Sequence, residues 1–235
     1  MSEVEAIILA GGMGTRLRSV VSDRPKVMAS VADRPFLTRL FDQLLSAQIT
    51  EAVVSTGYMA EQLEEAIGDS YKALRIRYSR EARPLGTGGG VRLALEKTAS
   101  DPVFVLNGDS FCAVDLREFC RYHRAKGARA SVVLTRVEDT SRFGQVKIDE
   151  RGSVVEFVEK GAAKSTGWIN AGIYCLNRDV IEPLPPGKAI SLERDVFPGL
   201  IQAGLFGFPG GGEFIDIGTP ESYKKAQAFS FETPE

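Results

Sequence analysis

Short apolar runs of β type alternate with amphipathic helical stretches through the first half of the chain, and this rhythm restricts the fold more than any other feature. The runs are Ala6–Ala10, Ala52–Thr56, Ile76–Ser79, Val103–Leu106 and Ala130–Thr135. Helical spacing fills the intervals at Phe36–Ala47, Met59–Ile67, Gly90–Lys97 and Asp115–Lys126, the last opening on Asp115-Leu116-Arg117-Glu118 as a capping box. Strands that need a helix to return run parallel, and the returning helices cover both faces of the sheet. The expected fold is α/β: Rossmann-like, with a mostly parallel central sheet and helices on both faces. Ligands in such sheets bind at the carboxyl ends of the strands.

After Val137 the rhythm changes. Gln145–Ile148 and Val154–Phe157 alternate around Asp149-Glu150-Arg151-Gly152, which predicts a hairpin. A strand at Ile169–Leu176, a helix near Leu192–Ala203 and a last strand at Phe214–Ile217 follow. Gly207–Gly212 reads as a loop leading to Asp216, and Thr219-Pro220-Glu221 starts a terminal helix. No linker, repeat or low-complexity tract interrupts the chain. Residues 1–235 are expected to form one domain, with a half at about 1–137 and a small β-rich elaboration at about 138–235.

The 235 residues are 43% hydrophobic, enough for a sizeable core, and carry a net charge of −2. That balance argues against a broad polyanion-binding surface, so no nucleic acid is expected as partner. No apolar stretch is long enough to span a membrane and no leader pattern opens the chain, so no membrane partner and a cytoplasmic location are expected. Cys112, Cys120 and Cys175 lack metal-type spacing and read as reduced, buried hydrophobes. His123 is the single histidine, expected on a solvated helix face and without a role. Association with further copies of the chain is left open.

The first strand runs into Ala10-Gly11-Gly12-Met13-Gly14-Thr15-Arg16-Leu17-Arg18. Glycines there let the backbone turn and bring amides towards an anion. The loop is not G-x-x-x-x-G-K-[ST], and Leu17 stands where a dinucleotide fingerprint needs its third glycine, which also disfavours a dinucleotide oxidoreductase. Arg16, with Arg24-Pro25-Lys26 downstream, changes the reading. Glycine amides with an arginine and a lysine suit a triphosphate.

Leu9–Leu17 with Pro25-Lys26 resembles the signature of the nucleotidyltransferases that make nucleotide sugars. The resemblance covers nearly the whole chain: Pro84-Leu85-Gly86-Thr87-Gly88-Gly89 resembles the base loop, and Leu106-Asn107-Gly108-Asp109 the metal-binding strand end. Phe143-Gly144, Glu156 with Glu159-Lys160, and Asn170-Ala171-Gly172 resemble sugar-site elements, and Asp216-Ile217-Gly218-Thr219-Pro220 the second metal position. Within the family the chain is most similar to the short branch that moves GMP from GTP to D-glycero-α-D-manno-heptose 1-phosphate. It departs from that pattern at Val27, where a second proline is usual, and at Arg83, where glutamate is common. No hexapeptide extension of the kind other branches carry is expected.

The resemblance implies attack of a sugar 1-phosphate oxygen on the α-phosphorus of a nucleoside triphosphate, with pyrophosphate leaving. Such transfers depend on positioning and charge neutralisation more than on a protein nucleophile. It implies Arg16 and Lys26 as catalytic cations, and Asp109 and Asp216 as carboxylates clamping Mg²⁺. Leu9, Gly11, Gly12, Gly14 and Thr15, with Gly86, Thr87 and Gly88, would bind the nucleotide, the glycine loop reading base edges through bare backbone. Asn107, Gly144, Glu156, Lys160 and Asn170 would bind the sugar phosphate. Trp168 suits core packing and sugar stacking equally, and Arg18 has no assignment. Mannose 1-phosphate as acceptor, or a uridylyl or thymidylyl donor, stays open, as does a catalytically silent nucleotide-sugar-binding module.

Overall fold

A computed structural model describes residues 4–158 and 165–234. In chain order the first half is β1 (Ala6–Leu9), the short pair β2 (Ser30–Val31) and β3 (Arg34–Pro35), α1 (Phe36–Ser46), β4 (Glu51–Thr56) and α2 (Ala60–Ile67). Then come β5 (Ser70–Tyr71), β6 (Leu74–Arg80), α3 (Gly86–Ala94), β7 (Val103–Asn107), β8 (Ser110–Cys112), α4 (Leu116–Ala125) and β9 (Ala130–Val137). The second half supplies β10 (Gln145–Ile148), β11 (Val154–Val158), β12 (Gly167–Leu176), α5 (Arg178–Ile181), β13 (Leu205–Gly211), β14 (Phe214–Asp216) and α6 (Pro220–Ala226).

Ten of the described strands form one mixed sheet, in the order β11-β10-β12-β7-β1-β4-β6-β5, with β9 beside β12 and β13 outside β9. Its centre is parallel: β1 runs with β4 and β7, and β4 with β6. Leu9 lies opposite both Ser55 and Asn107, so three strands end level with one another. The segments that follow them therefore meet along one edge. Strand β12 runs antiparallel to β7, with Ile173 opposite Leu106, which brings its Asn170–Gly172 stretch to that same edge. The expected α/β architecture holds, with β10 to β12 as the antiparallel elaboration.

The central strands read as unbroken apolar runs because both of their faces are covered. Ala6 and Ile8 of β1 enter a core with Phe36, Phe41, Phe104 and Phe119, while Ile7 enters another with Val53, Val105, Tyr174 and Phe197. Leu37, Leu40, Phe41 and Leu44 of α1 are all buried, at the 3–4-residue spacing of one helix face. Asp115 caps α4 by accepting the N–H groups of Arg117 and Glu118 at 2.7 and 3.1 Å. Thr219 and Ser222 close a capping box on α6, with Pro220 at its first position.

Four expectations need correction. Gly86–Gly90 opens helix α3 and is no loop. The helix near Leu192–Ala203 is a wide π-type turn at Leu192–Val196 followed by a tight 3₁₀ turn at Phe197–Leu200. Gly207–Gly211 belongs to β13, which pairs in parallel with β9. His123 is buried, between Ser131 and Asn177. The expected helix forms as α4, but it presents His123 to the sheet. Among the described residues no helix is long and apolar enough to cross a membrane.

Candidate active site

The loop after β1 leaves the sheet at its shared edge, tied back by the Ala10 N–H to the Ser55 carbonyl at 2.8 Å. Gly14 turns it with φ of +60°, a conformation that side chains resist, close against the Lys26 Cβ. Below the loop lies a cavity of about 340 Å³ lined by Leu9, Gly11, Gly12, Lys26, Glu81, Pro84, Gly86, Thr87, Asn107 and Asp109. Most of the residues expected to bind the nucleotide therefore do share one cavity. Gly14, Thr15 and Gly88 are not among its walls.

Glu81 is a wall residue that the sequence did not single out. It follows β6, its Oε2 accepting the Leu85 N–H at 2.9 Å and its Oε1 the Ser55 hydroxyl at 3.1 Å. A Cβ on Gly11 would stand 2.9 Å from that Oε1, so glycine is what lets loop and carboxylate meet. The expected base loop differs in detail. The N–H of Gly88 donates to the Ile190 carbonyl at 2.8 Å, and Gly88 is buried. The Thr87 hydroxyl donates to Glu193 at 2.9 Å and accepts the Leu192 N–H at 2.8 Å. These groups hold residues 190–193, so Thr87 meets the cavity with its hydroxyl already paired, beside Gly86 and Glu81.

The charged centre joins the two halves. Pro25 leads into a single 3₁₀ turn, and the largely buried Lys26 places Nζ 2.5 Å from Asp109 Oδ2. The carbonyl of Asp109 accepts the Ile217 N–H at 2.9 Å, and β8 pairs with β14 so that Ser110 opposes Asp216. Asp216 Oδ1 accepts the Gly218 N–H at 2.7 Å and the Ser222 hydroxyl at 3.1 Å, while Oδ2 faces Arg142 at 3.5 Å. A Cβ placed on Gly218 would lie 3.4 Å from Arg16 Nη2 and 3.6 Å from Lys26 Nζ. Arg16, Lys26, Asp109 and Asp216 thus converge.

Among the described residues no group of three or more histidine, cysteine or carboxylate side chains could hold a metal. Two carboxylates, Asp109 in the turn before β8 and Asp216 at the end of β14, suit Mg²⁺, which takes one or two protein oxygens and completes its shell with waters and substrate phosphates. The donor set fits that ion.

A larger cavity of about 990 Å³ opens beside this centre, and its walls include Arg16, Asn107, Asp109, Arg142, Phe143, Gly144, Phe157, Asn170, Gly172, Tyr174, Glu193 and Asp216. Asn107, Gly144 and Asn170, all expected to bind the sugar phosphate, line this cavity. Glu156 does not. Alternation along β11 turns Phe157 to the cavity, and Glu156 instead forms an ion pair with Lys147 at 2.7 Å on the exposed side. Lys160 and Glu159 lie outside the described residues. Trp168 packs against the core and is not a wall of the cavity, which favours its packing role. Arg18 stacks on the Tyr58 ring at 4.8 Å, and Arg83 donates to the Gly187 carbonyl at 2.8 Å.

Residues 5–233 match the family model described as Nucleotidyl transferase. The chain is 40% identical to a D-glycero-alpha-D-manno-heptose 1-phosphate guanylyltransferase of Aneurinibacillus thermoaerophilus, over 95% of this chain and 97% of that protein. It is 39% identical to a mannose-1-phosphate guanylyltransferase of Mycobacterium tuberculosis, over 96% of this chain but only 64% of that longer protein. The structure of HddC from Yersinia pseudotuberculosis complexed with GMP-PN superposes with a TM-score of 0.85 at 34% identity, covering 95% of this chain and 98% of that one. The chain belongs to the nucleotidyl transferase family.

Proposed function

We propose that the chain transfers GMP from GTP to D-glycero-α-D-manno-heptose 1-phosphate, giving a GDP-heptose and pyrophosphate. The observation that carries the choice of base is Glu81. An ionised carboxylate only accepts hydrogen bonds. Guanine offers donors at N1 and N2 along one edge, whereas uracil and thymine flank their single N–H with carbonyl oxygens that a carboxylate repels. Glu81 keeps lone pairs free after its two bonds to Ser55 and Leu85, at the wall of the smaller cavity. Heptose 1-phosphate is favoured by the relatives matched over nearly their whole length.

In this reading the triphosphate lies along Gly11, Gly12, Gly14 and Thr15, with the base between Glu81 and Gly86. The sugar phosphate occupies the larger cavity against Asn107, Gly144 and Asn170, with Lys160 as a further cation. A phosphate oxygen of the acceptor attacks the α-phosphorus, the bond to the β-phosphate oxygen breaks, and both electrons of that bond leave with pyrophosphate. Arg16 holds the leaving group, and Lys26 neutralises charge on the α-phosphate, for which it must exchange Asp109 for substrate oxygens. Mg²⁺ held by Asp109 and Asp216 would supply Lewis-acid charge at the same phosphate. The setting is cytoplasmic, in line with three free, buried thiols, and the product is an activated sugar donor for cell-surface polysaccharide.

Mannose 1-phosphate is the second reading, favoured by the Mycobacterium relative. A silent binding module is disfavoured by the assembled cations and carboxylates. A pyrophosphate-release assay crossing GTP, ATP, UTP and dTTP with several sugar 1-phosphates separates these. Release with GTP and the heptose 1-phosphate, abolished by chelation of Mg²⁺, is expected. Preference for UTP or dTTP would overturn the guanylyl assignment, preference for mannose 1-phosphate the heptose assignment, and no release with any pair the enzyme itself.

A further inference from the structure

Glu193 lines the larger cavity and lies outside the motifs named above. Its carboxylate is met by three hydroxyls: Tyr174 Oη at 2.7 Å on Oε1, and Thr87 Oγ1 at 2.9 Å and Ser191 Oγ at 2.8 Å on Oε2. Two of these hydroxyls already accept a backbone N–H, Thr87 from Leu192 and Ser191 from Arg194. Their protons are therefore left to point at Glu193. Tyr174 is fully buried, and its single proton goes the same way. Burial and the neighbouring carboxylate both push the Tyr174 phenol well above its usual range, which keeps that proton in place.

With its proton committed, the Tyr174 oxygen can only accept, and it accepts from Asn170 Nδ2 at 3.0 Å. The other end of the same carboxamide, Oδ1, accepts the Gly172 N–H at 2.8 Å. The chain of bonds runs one way, from carboxamide to phenol to carboxylate. It fixes which end of the Asn170 amide is donor and which is acceptor at the cavity wall, leaving one N–H and one lone pair for a substrate.

We infer that Glu193 is a positioning residue for the sugar substrate, acting through Tyr174 to set the orientation of the Asn170 carboxamide. This rests on the larger cavity being the sugar 1-phosphate site. Glu193→Gln brings an amide that can donate towards Tyr174, and reversal of that bond makes the phenol compete with Asn170 as donor. Tyr174→Phe removes the acceptor altogether and serves as a second route to the same loss.

Two measurements test it. In the substrate-free protein, the ¹H–¹⁵N signals of the Asn170 side-chain amide, identified by their absence in Asn170→Asp, should shift in both Glu193→Gln and Tyr174→Phe. Unmoved signals in both overturn the inference, whether or not the enzyme turns over. In the release assay, with whichever sugar 1-phosphate serves best, Glu193→Gln should raise KM for the sugar about tenfold, the size of one hydrogen bond, and leave KM for GTP nearly unchanged. Added to Asn170→Ala, it should raise the sugar KM no further. An additive rise, or an equal rise for both substrates, would mean that Glu193 touches substrate itself or merely holds the fold. A wild type inactive with every pair defeats the proposed function, and the amide signals still decide this inference.

Discussion

Asp109 answers to two neighbours, Lys26 through its side chain and Ile217 through its carbonyl. Only the backbone bond is needed to join β8 to β14, and asparagine keeps it. The carboxylate is 43% exposed, so its ion pair contributes at most about 1 kcal/mol to folding. Asp109→Asn should therefore lower turnover about 100-fold or more, the scale of losing one charge-stabilising group at a reacting phosphate, while Tm falls by no more than about 4 °C. Steady-state pyrophosphate release beside thermal melts checks this, and parallel losses would reduce Asp109 to a structural role. Arg16, Lys26, Asp109 and Asp216, which the structure brings together, stand out in sequence because each lies within two residues of a glycine or proline in a short motif. Glu81 does not. In sequence it is one charge among Arg80, Glu81 and Arg83, and only the pairing of β6 with β4 and β4 with β1 brings it under Gly11. Glu156 failed for the opposite reason: a motif was visible, and the two-residue period of the strand decided which of its members faced the cavity.

At the scale of elements, the strands and long helices were readable because burial imposes a period on their side chains. Glycine carries no such signal. Helix α3 starts with four glycines among its first five residues, although glycine costs about 1 kcal/mol relative to alanine in a helix interior. It forms because the Ile190 carbonyl accepts from the N–H groups of both Gly88 and Gly89, at 2.8 and 3.3 Å. Segment 188–190 lies so near that a Cβ on Gly89 would overlap the Lys188 carbonyl and stand 2.9 Å from Leu85 Cβ. Gly89→Ala sets propensity against packing. Backbone has little freedom to yield, so overpacking should win, and the variant should lose about 1–3 kcal/mol in chemical denaturation. A variant as stable as wild type would show that 188–190 moves aside. The same closeness explains β13, where Gly207 lies against Leu134 and Ile148.

The whole molecule has one histidine, and it lies at the junction between helix α4, strand β9 and the end of β12. His123 is 2% exposed, its Nδ1 2.9 Å from Ser131 Oγ and its Nε2 2.9 Å from Asn177 Oδ1. The amide oxygen of Asn177 can only accept, so Nε2 carries the proton and Nδ1 accepts from the serine: a neutral ring, fully used. Burial lowers the pKa of His123, outweighing the bond to Asn177, with Arg124 adding to the lowering. The unfolded chain therefore binds a proton that the folded chain refuses. Stability from this residue is complete above the unfolded pKa of about 6.5 and is lost as pH falls from there through the lower folded value, at no more than about 1.4 kcal/mol per pH unit. His123→Gln should be less stable than wild type at about pH 7.5, because an amide cannot reproduce both ring bonds. Its stability should then fall less steeply towards about pH 5.5, since no other histidine remains to titrate. Denaturation midpoints of the two proteins across that range give the comparison. Parallel lines would mean that the ring does not resist protonation, and that the docking of α4 on the sheet is insensitive to it.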